Sequence, residues 1–199
     1  TNNWYRSDIY DEMGLAPPTT WEREREAAQA ITEADNDLYG IGYTTSGTVY
    51  GSYHAWTRLW GNDAQVATRD GDTVSVVLDS GSNRDRVREV LERAQQMVQY
   101  SPTATNWDWG EIYESYAGGT TATAIYSGGR PKTQSIGQDR QWADATKRVS
   151  NSYNSSNRDE PLGNSAATGY ALVQGSANPE EAKEFVQYMV TGERLVEYS

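Results

Sequence analysis

Apolar residues recur at helical spacing behind several capping or glycine-rich breaks in this chain. The clearest run is Val87, Val90, Leu91, Ala94 and Val98, which predicts a helix from Ser82 to about Tyr100 with those five side chains buried. Ser82 and Asp85 stand at capping-box spacing before it, and Pro102 ends it. Asn178-Pro179-Glu180-Glu181 offers a cap, a first-turn proline and two dipole-complementing acids. Behind it, Ala182, Phe185, Val186, Met189 and Val190 keep the period of a helix. Another helix is predicted from Trp21 to about Ala34, capped by Thr19 or Thr20 after the break at Pro17-Pro18.

Shorter helices are expected over Asp8 to Glu12, over Tyr53 to Trp60 with Trp56, Leu59 and Trp60 on one side, and over Trp109 to Tyr116. Extended segments are expected at Thr1 to Ser7, Leu38 to Thr44, Thr73 to Leu78, Thr121 to Tyr126 and Ala167 to Val173. Ser46 to Gly51 reads as a polar loop, Gln138 to Val149 as helical, and Ser150 to Asp159 as polar and mobile. Strands alternating with helices favour an α/β fold. No internal repeat is present.

Charge narrows the partners. The 199 residues carry 28 acidic and 17 basic side chains, a net charge of −11. That balance opposes binding to nucleic acid or to an anionic membrane surface. The only lysines are Lys132, Lys147 and Lys183, and the remaining basic residues are arginines. An acid-rich, lysine-poor surface suits a salt-adapted organism, because salt screens its self-repulsion; an ordinary acidic extracytoplasmic protein has the same look.

Cysteine is absent, which excludes disulfides and thiolate metal sites. No run of 18 apolar residues occurs. A chain that starts at Thr1 without a signal-peptide pattern reads as a mature product, a trimmed chain or a fragment. His54 is the single histidine and has no carboxylate at helical ligand spacing, so no metal is expected. No phosphate loop or nucleophile elbow is present, and no cofactor is expected. One phenylalanine against 14 tyrosines and seven tryptophans points to a wet, aromatic-lined recognition surface. Asn154-Ser155-Ser156 is a formal glycosylation acceptor, most simply a chance match.

Four stretches in order resemble the extracytoplasmic solute-binding proteins of sugar-type ABC importers. They are Trp4-Tyr5-Arg6-Ser7-Asp8 through Gly14-Leu15-Ala16-Pro17-Pro18-Thr19-Thr20-Trp21-Glu22, then Tyr39-Gly40-Ile41-Gly42. Tyr116-Ala117-Gly118-Gly119 into Thr123-Ala124-Ile125 follows, and Thr168-Gly169-Tyr170-Ala171-Leu172 with Asn178 to Val186 completes the set. Arg6-Ser7 replaces the family's usual Asn-Lys pair. The resemblance implies an α/β, periplasmic-binding-protein-like fold: one lobe plus part of the return into the other. Residues 1–160 would be the second lobe and 161–199 the segment returning toward a missing first lobe, since family members are considerably longer.

The function implied is a non-catalytic substrate-binding subunit that closes by a hinge on a sugar or other hydroxyl-rich compound and delivers it to ABC permease subunits. The location implied is extracellular or periplasmic, anchored to the membrane in the intact protein. Tyr50 and Tyr53, in the loop after the Tyr39 segment, stand where the family places an aromatic in its cleft. Trp109 does likewise at a helix start. Arg130 after Gly128-Gly129 replaces an aromatic common in oligosaccharide binders and suits a hydroxyl-rich or acidic ligand. Asn164 matches a segment that reaches the cleft. Two alternatives compete: a secreted glycan-acting enzyme using Asp108 and Glu111 as a carboxylate pair, and a structural surface protein reusing the fold.

Overall fold

A computed structural model describes residues 1–34, 37–102, 107–161 and 171–190. The chain divides into two compact units, Thr1–Asn164 and Ser165–Ser199. The first is built on a three-stranded antiparallel sheet. Its central strand β1 (Asn2–Arg6) lies between β4 (Thr123–Tyr126) and β5 (Thr146–Ser150). The register sets Trp4 opposite Ala124 and Arg148. The segment expected as a strand from Leu38 to Thr44 makes only parallel bridges, Tyr39 to Thr121 and Gly42 to Ala124, along the outer edge of β4. It passes so close to a helix that a Cβ at Gly40 would sit 2.2 Å from the Ala28 carbonyl oxygen.

Successive side chains of a strand face opposite ways, and β1 is covered on both faces. Trp4 packs with Tyr50, Ile112, Tyr116, Ala124 and Tyr126. Tyr5 packs with Tyr10, Ala27, Ile31 and Ala122. The helices that supply these residues are α1 (Ser7–Glu12), α2 (Trp21–Ala34), α3 (Val49–Gly61) and α5 (Trp109–Gly118). Met97, at the end of α4 (Gly81–Met97), joins Ala28, Ile41, Tyr43 and Ile125 in a third cluster. Thr20 caps α2 as expected, its hydroxyl accepting from the Arg23 N–H at 3.4 Å.

Three helices also meet on one buried carboxylate. Glu24 of α2 is 1% exposed. Its Oε1 accepts from Arg58 Nη2 of α3 at 3.1 Å and from Asn3 Nδ2 at 3.1 Å, and its Oε2 accepts from Arg93 Nη2 of α4. Burial alone would raise the Glu24 pKa, but the two guanidinium groups hold it below the usual carboxylate range. Arg58 also donates to Ser152 Oγ at 2.6 Å, and Arg93 lies over the Trp21 ring at 4.8 Å.

Expectations for α4 and α3 change accordingly. On α4, Val90 and Met97 are buried, but Leu91 is 61% exposed and Arg93 takes the inward place beside them. The helix starts at Gly81 behind Ser80, so Ser82 and Asp85 form no capping box. On α3 the inward side is Tyr50, Gly51, His54, Thr57, Arg58 and Gly61, while Trp56 and Trp60 share another side as expected, their ring centroids 5.8 Å apart. The helix also begins inside the stretch read as a loop, because Thr48 caps it by accepting from the Gly51 N–H at 3.3 Å. Gly51 is needed for packing: a Cβ there would meet the Ser46 carbonyl oxygen at 1.9 Å.

The extended segment expected at Thr73 to Leu78 forms over Thr73–Val76 (β3) and pairs with Ala67–Asp70 (β2) as an exposed hairpin turning at Gly71. Two further corrections concern the polar half of the chain. The helix expected over Gln138 to Val149 lies instead at α6 (Arg130–Gly137), where Pro131 occupies the first turn, and β5 follows. The stretch read as mobile is tied down: Asn151 and Ser152 are buried, and Asn154 Nδ2 donates to Asn62 Oδ1 at 2.7 Å. In the second unit α7 (Pro179–Met189) forms where expected, with Phe185 60% exposed. Of the strand expected over 167–173, residues 171–173 have no regular structure and the others lie outside the described residues.

Candidate functional site

Helices α3, α5 and α6 begin near one another at the end of the sheet where β4 finishes. The reason is local. Beyond Gly42, whose N–H donates to Thr123 O at 2.6 Å, the outer segment leaves the β4 edge. The next carbonyl on that edge, Ile125 O, is satisfied by side chains of α3: the Tyr50 hydroxyl at 2.6 Å and His54 Nε2 at 3.1 Å. A carbonyl can only accept, so the His54 proton is on Nε2. Burial first, then the Arg58 charge, holds the His54 pKa down to about 3.

The caps connect these helix starts. Asp108 and Glu111 form a capping box at the start of α5. Asp108 Oδ1 accepts from the Trp109 N–H at 2.9 Å, and Glu111 Oε2 accepts from the Asp108 N–H at 2.9 Å. Asp108 Oδ1 also accepts from the Thr48 hydroxyl, the cap of α3, at 3.2 Å. At the start of α6, Gly129 provides no side-chain cap.

Aromatic rings fill the corner between these helices. Tyr113 stands edge-on to Tyr126 with ring centroids 5.5 Å apart, and Tyr126 lies 5.7 Å from Tyr50. The Arg130 guanidinium lies over the Tyr113 ring at 5.5 Å. Trp109 is one turn before Tyr113 on α5, hence on the same side, and is 60% exposed. The Tyr126 hydroxyl pKa is raised chiefly by burial, with Arg130 pulling it back and Tyr113 and Asp108 pushing it up.

Of the residues chosen from separate parts of the sequence, Arg130 lies over the Tyr113 ring and Trp109 is one turn before Tyr113 on its helix. Tyr50 reaches the same cluster from inside: it is 3% exposed, with its hydroxyl committed to Ile125, so its ring lies against Tyr126 and presents no open face. Tyr53, one turn on, is 39% exposed. Asn164 lies outside the described residues. Sequence reading missed Thr48, Tyr113 and Tyr126. The pairing of Tyr126 with the Gly128-Gly129 turn was the available signal, since a strand that stops at glycines before a helix places its last side chain at the sheet end. Among the described residues, no group of His, Asp or Glu could hold a metal ion.

An α/β lobe with helix starts gathered at one end of its sheet is the architecture of a periplasmic-binding-protein lobe. The chain belongs to the bacterial extracellular solute-binding protein family, whose model matches residues 3–193. It is 26% identical over 124 residues to YcjN of Escherichia coli K12, a protein named as an ABC transporter periplasmic-binding protein. That stretch is 62% of this chain and 27% of that relative.

Solved structures share the fold. An ABC transporter solute-binding protein from Thermotoga lettingae, bound with α-D-tagatose, superposes with a TM-score of 0.77 at 18% identity, covering 99% of this chain and 49% of that one. A solute-binding protein from Agrobacterium radiobacter K84, in complex with ribitol, gives 0.77 at 19% identity, covering 99% and 48%. Maltose-bound MalE3 of T. maritima gives 0.76 at 16% identity, covering 97% and 48%. The chain therefore spans about half the length of these proteins.

Proposed function

We propose that this chain is the second lobe, with part of the return into the first, of the substrate-binding subunit of an ABC importer for a carbohydrate or polyol. In this reading residues 1–160 form one wall of the cleft, 161–199 lead into the first lobe, and the protein works outside the cytoplasmic membrane beside its permease. The observation that carries it is the exposed Trp109 one turn before Tyr113, whose ring lies under the Arg130 guanidinium, at the gathered helix starts. Flat aromatic faces stack on sugar C–H surfaces, and a guanidinium fork donates to hydroxyls. The tagatose, ribitol and maltose held by proteins of the same fold support that ligand class. Trp109 and Arg130 contact the ligand, Tyr53 extends the same wall, and Tyr50 braces Tyr126 from behind; a ligand role for Asn164 rests on the family resemblance alone.

The capping box weighs against the competing enzyme reading. Asp108 and Glu111 are each engaged by backbone N–H groups, which leaves neither poised as a free acid or base for glycoside hydrolysis. Calorimetry with a panel of monosaccharides, oligosaccharides and polyols tests the proposal. The protein with its first lobe joined should bind a member of the panel, more weakly after Trp109→Ala or Arg130→Gln. The 199-residue chain should bind it weakly or not at all, because one wall cannot enclose a ligand. Submicromolar binding by this chain alone, or product formation from a glycan, sinks the reading.

A further inference from the structure

One side of α3 is left outside the core. Val49, Tyr53, Trp56 and Trp60 follow one another at steps of four, three and four, so they share that side of the helix. Val49 is 72% exposed and Trp56 45%, and Trp60 is half-buried beside Trp56. The side carries no charge. Between Val49 and Gly61 there is no acidic residue, and the one arginine, Arg58, is buried against Glu24. A helix side that meets water normally carries charged residues. Here, in a chain of net charge −11, two tryptophans, a tyrosine and a valine stand in their place. Aromatic enrichment with depletion of charge marks the centre of a contact surface.

Three occupants compete for it. A chain of sugar rings needs flat, aligned faces, but the Trp56 and Trp60 rings are inclined at 58° and offer no such ladder. A second copy brings another −11 of like charge and has no covalent link to hold it near. A first lobe is joined through the chain, so its local concentration is high without any added attraction. Proteins of this fold are about twice the length of this chain, which supplies a body of about its own size. Val49 follows directly on Thr48, the cap tied to Asp108, so the stripe runs on from the proposed cleft wall.

We propose that Val49, Trp56 and Trp60 form the surface against which the first lobe packs, a contact that rests on the two-lobed reading above. The matching surface on that lobe is apolar and uncharged. Tyr53, between them on the stripe, is shared by the ligand wall and the lobe contact.

Hydroxyl-radical footprinting read by mass spectrometry tests this on the 199-residue chain and on the protein with its first lobe joined. Joining the lobe should slow oxidation of Trp56 and Trp60 roughly fivefold or more, as burial at an interface centre does, while Leu91, exposed on α4, keeps its rate. Trp56→Ser should lower the urea midpoint of the two-lobed protein further than that of the 199-residue chain. Unchanged oxidation in a two-lobed protein that still binds its sugar overturns this proposal and leaves the function standing. Protection without binding to any sugar or polyol of the panel does the reverse. Equal protection at Leu91, or equal midpoint losses in the two proteins, also overturns the proposal. So does protection that grows with protein concentration alongside a doubled mass in sedimentation, which would mark a second copy instead.

Discussion

The Thr48 hydroxyl donates to Asp108 Oδ1 at 3.2 Å, and each residue is the N-cap of its own helix. The bond fixes the start of α3 against the start of α5. The exposed Trp109 follows directly on Asp108, so its backbone position is set by this pair of caps.

Asp108→Ala should therefore cost more than an isolated cap. Loss of the cap alone is about 1–2 kcal/mol. In a double-mutant cycle with Thr48→Ala, the coupling should be at least about 0.5 kcal/mol, since the two side chains touch. Urea denaturation of the four proteins measures it. Strictly additive losses would show that the caps act separately.

Leu91 and Met97 lie on the same helix and should respond very differently to truncation. Met97 is fully buried, and Met97→Ala should destabilise by about 2–5 kcal/mol. Leu91 is 61% exposed, and Leu91→Ala should fall within about 0.5 kcal/mol of the parent. A larger loss at Leu91 than at Met97 would overturn the packing described for α4.

The α4 case shows what was legible in the sequence. The helix, its length and half its inward face followed from spacing, because apolar period alone marks a helix. The choice between Leu91 and Arg93 did not, because it depends on Glu24, a residue far away in the chain that makes a buried arginine favourable. The same limit applied on α3, where Arg58 and His54 turn inward toward Glu24 and Ile125. At the proposed site, Trp109 was chosen from the family resemblance and Arg130 from the glycine turn before it, and the structure sets each at the start of a helix. Tyr50 was misplaced because a tyrosine ring and hydroxyl satisfy a core as readily as a cleft. Thr48, Tyr113 and Tyr126 belong to the cluster only through contacts between separate helices, which no local pattern carries.

His54 makes stability depend on pH. Its pKa is lowered to about 3 from 6.5, so the folded protein keeps it neutral where the unfolded chain takes up a proton. Protons bound to the unfolded state outnumber those bound to the folded state between those values, so stability rises with pH across that window. Each pH unit lost there should remove up to about 1.4 kcal/mol. Glu24, lowered by its two arginines, adds a further loss as pH falls below the ordinary carboxylate range. Denaturation midpoints between pH 7 and 5 should slope less steeply in His54→Gln, and parallel slopes would remove His54 from the account.

Salt should stabilise this chain more than it does a protein of balanced charge. A net charge of −11 repels itself, and molar salt shrinks the Debye length to about 3 Å. Melting temperature should climb between low and molar sodium chloride. A flat curve would remove the argument for salt adaptation.

The meeting of α2, α3 and α4 on the Glu24 carboxylate constrains how this protein can change over time. Loss of Glu24 alone strands two buried guanidinium groups, and loss of Arg58 or Arg93 alone leaves the carboxylate half-paired where its side chain is 1% exposed. Each single step is costly, whereas replacing the whole set by apolar side chains of matching volume can be neutral. Among homologues, these three columns should switch together or not at all, and lineages that have lost the acid should show both arginines gone.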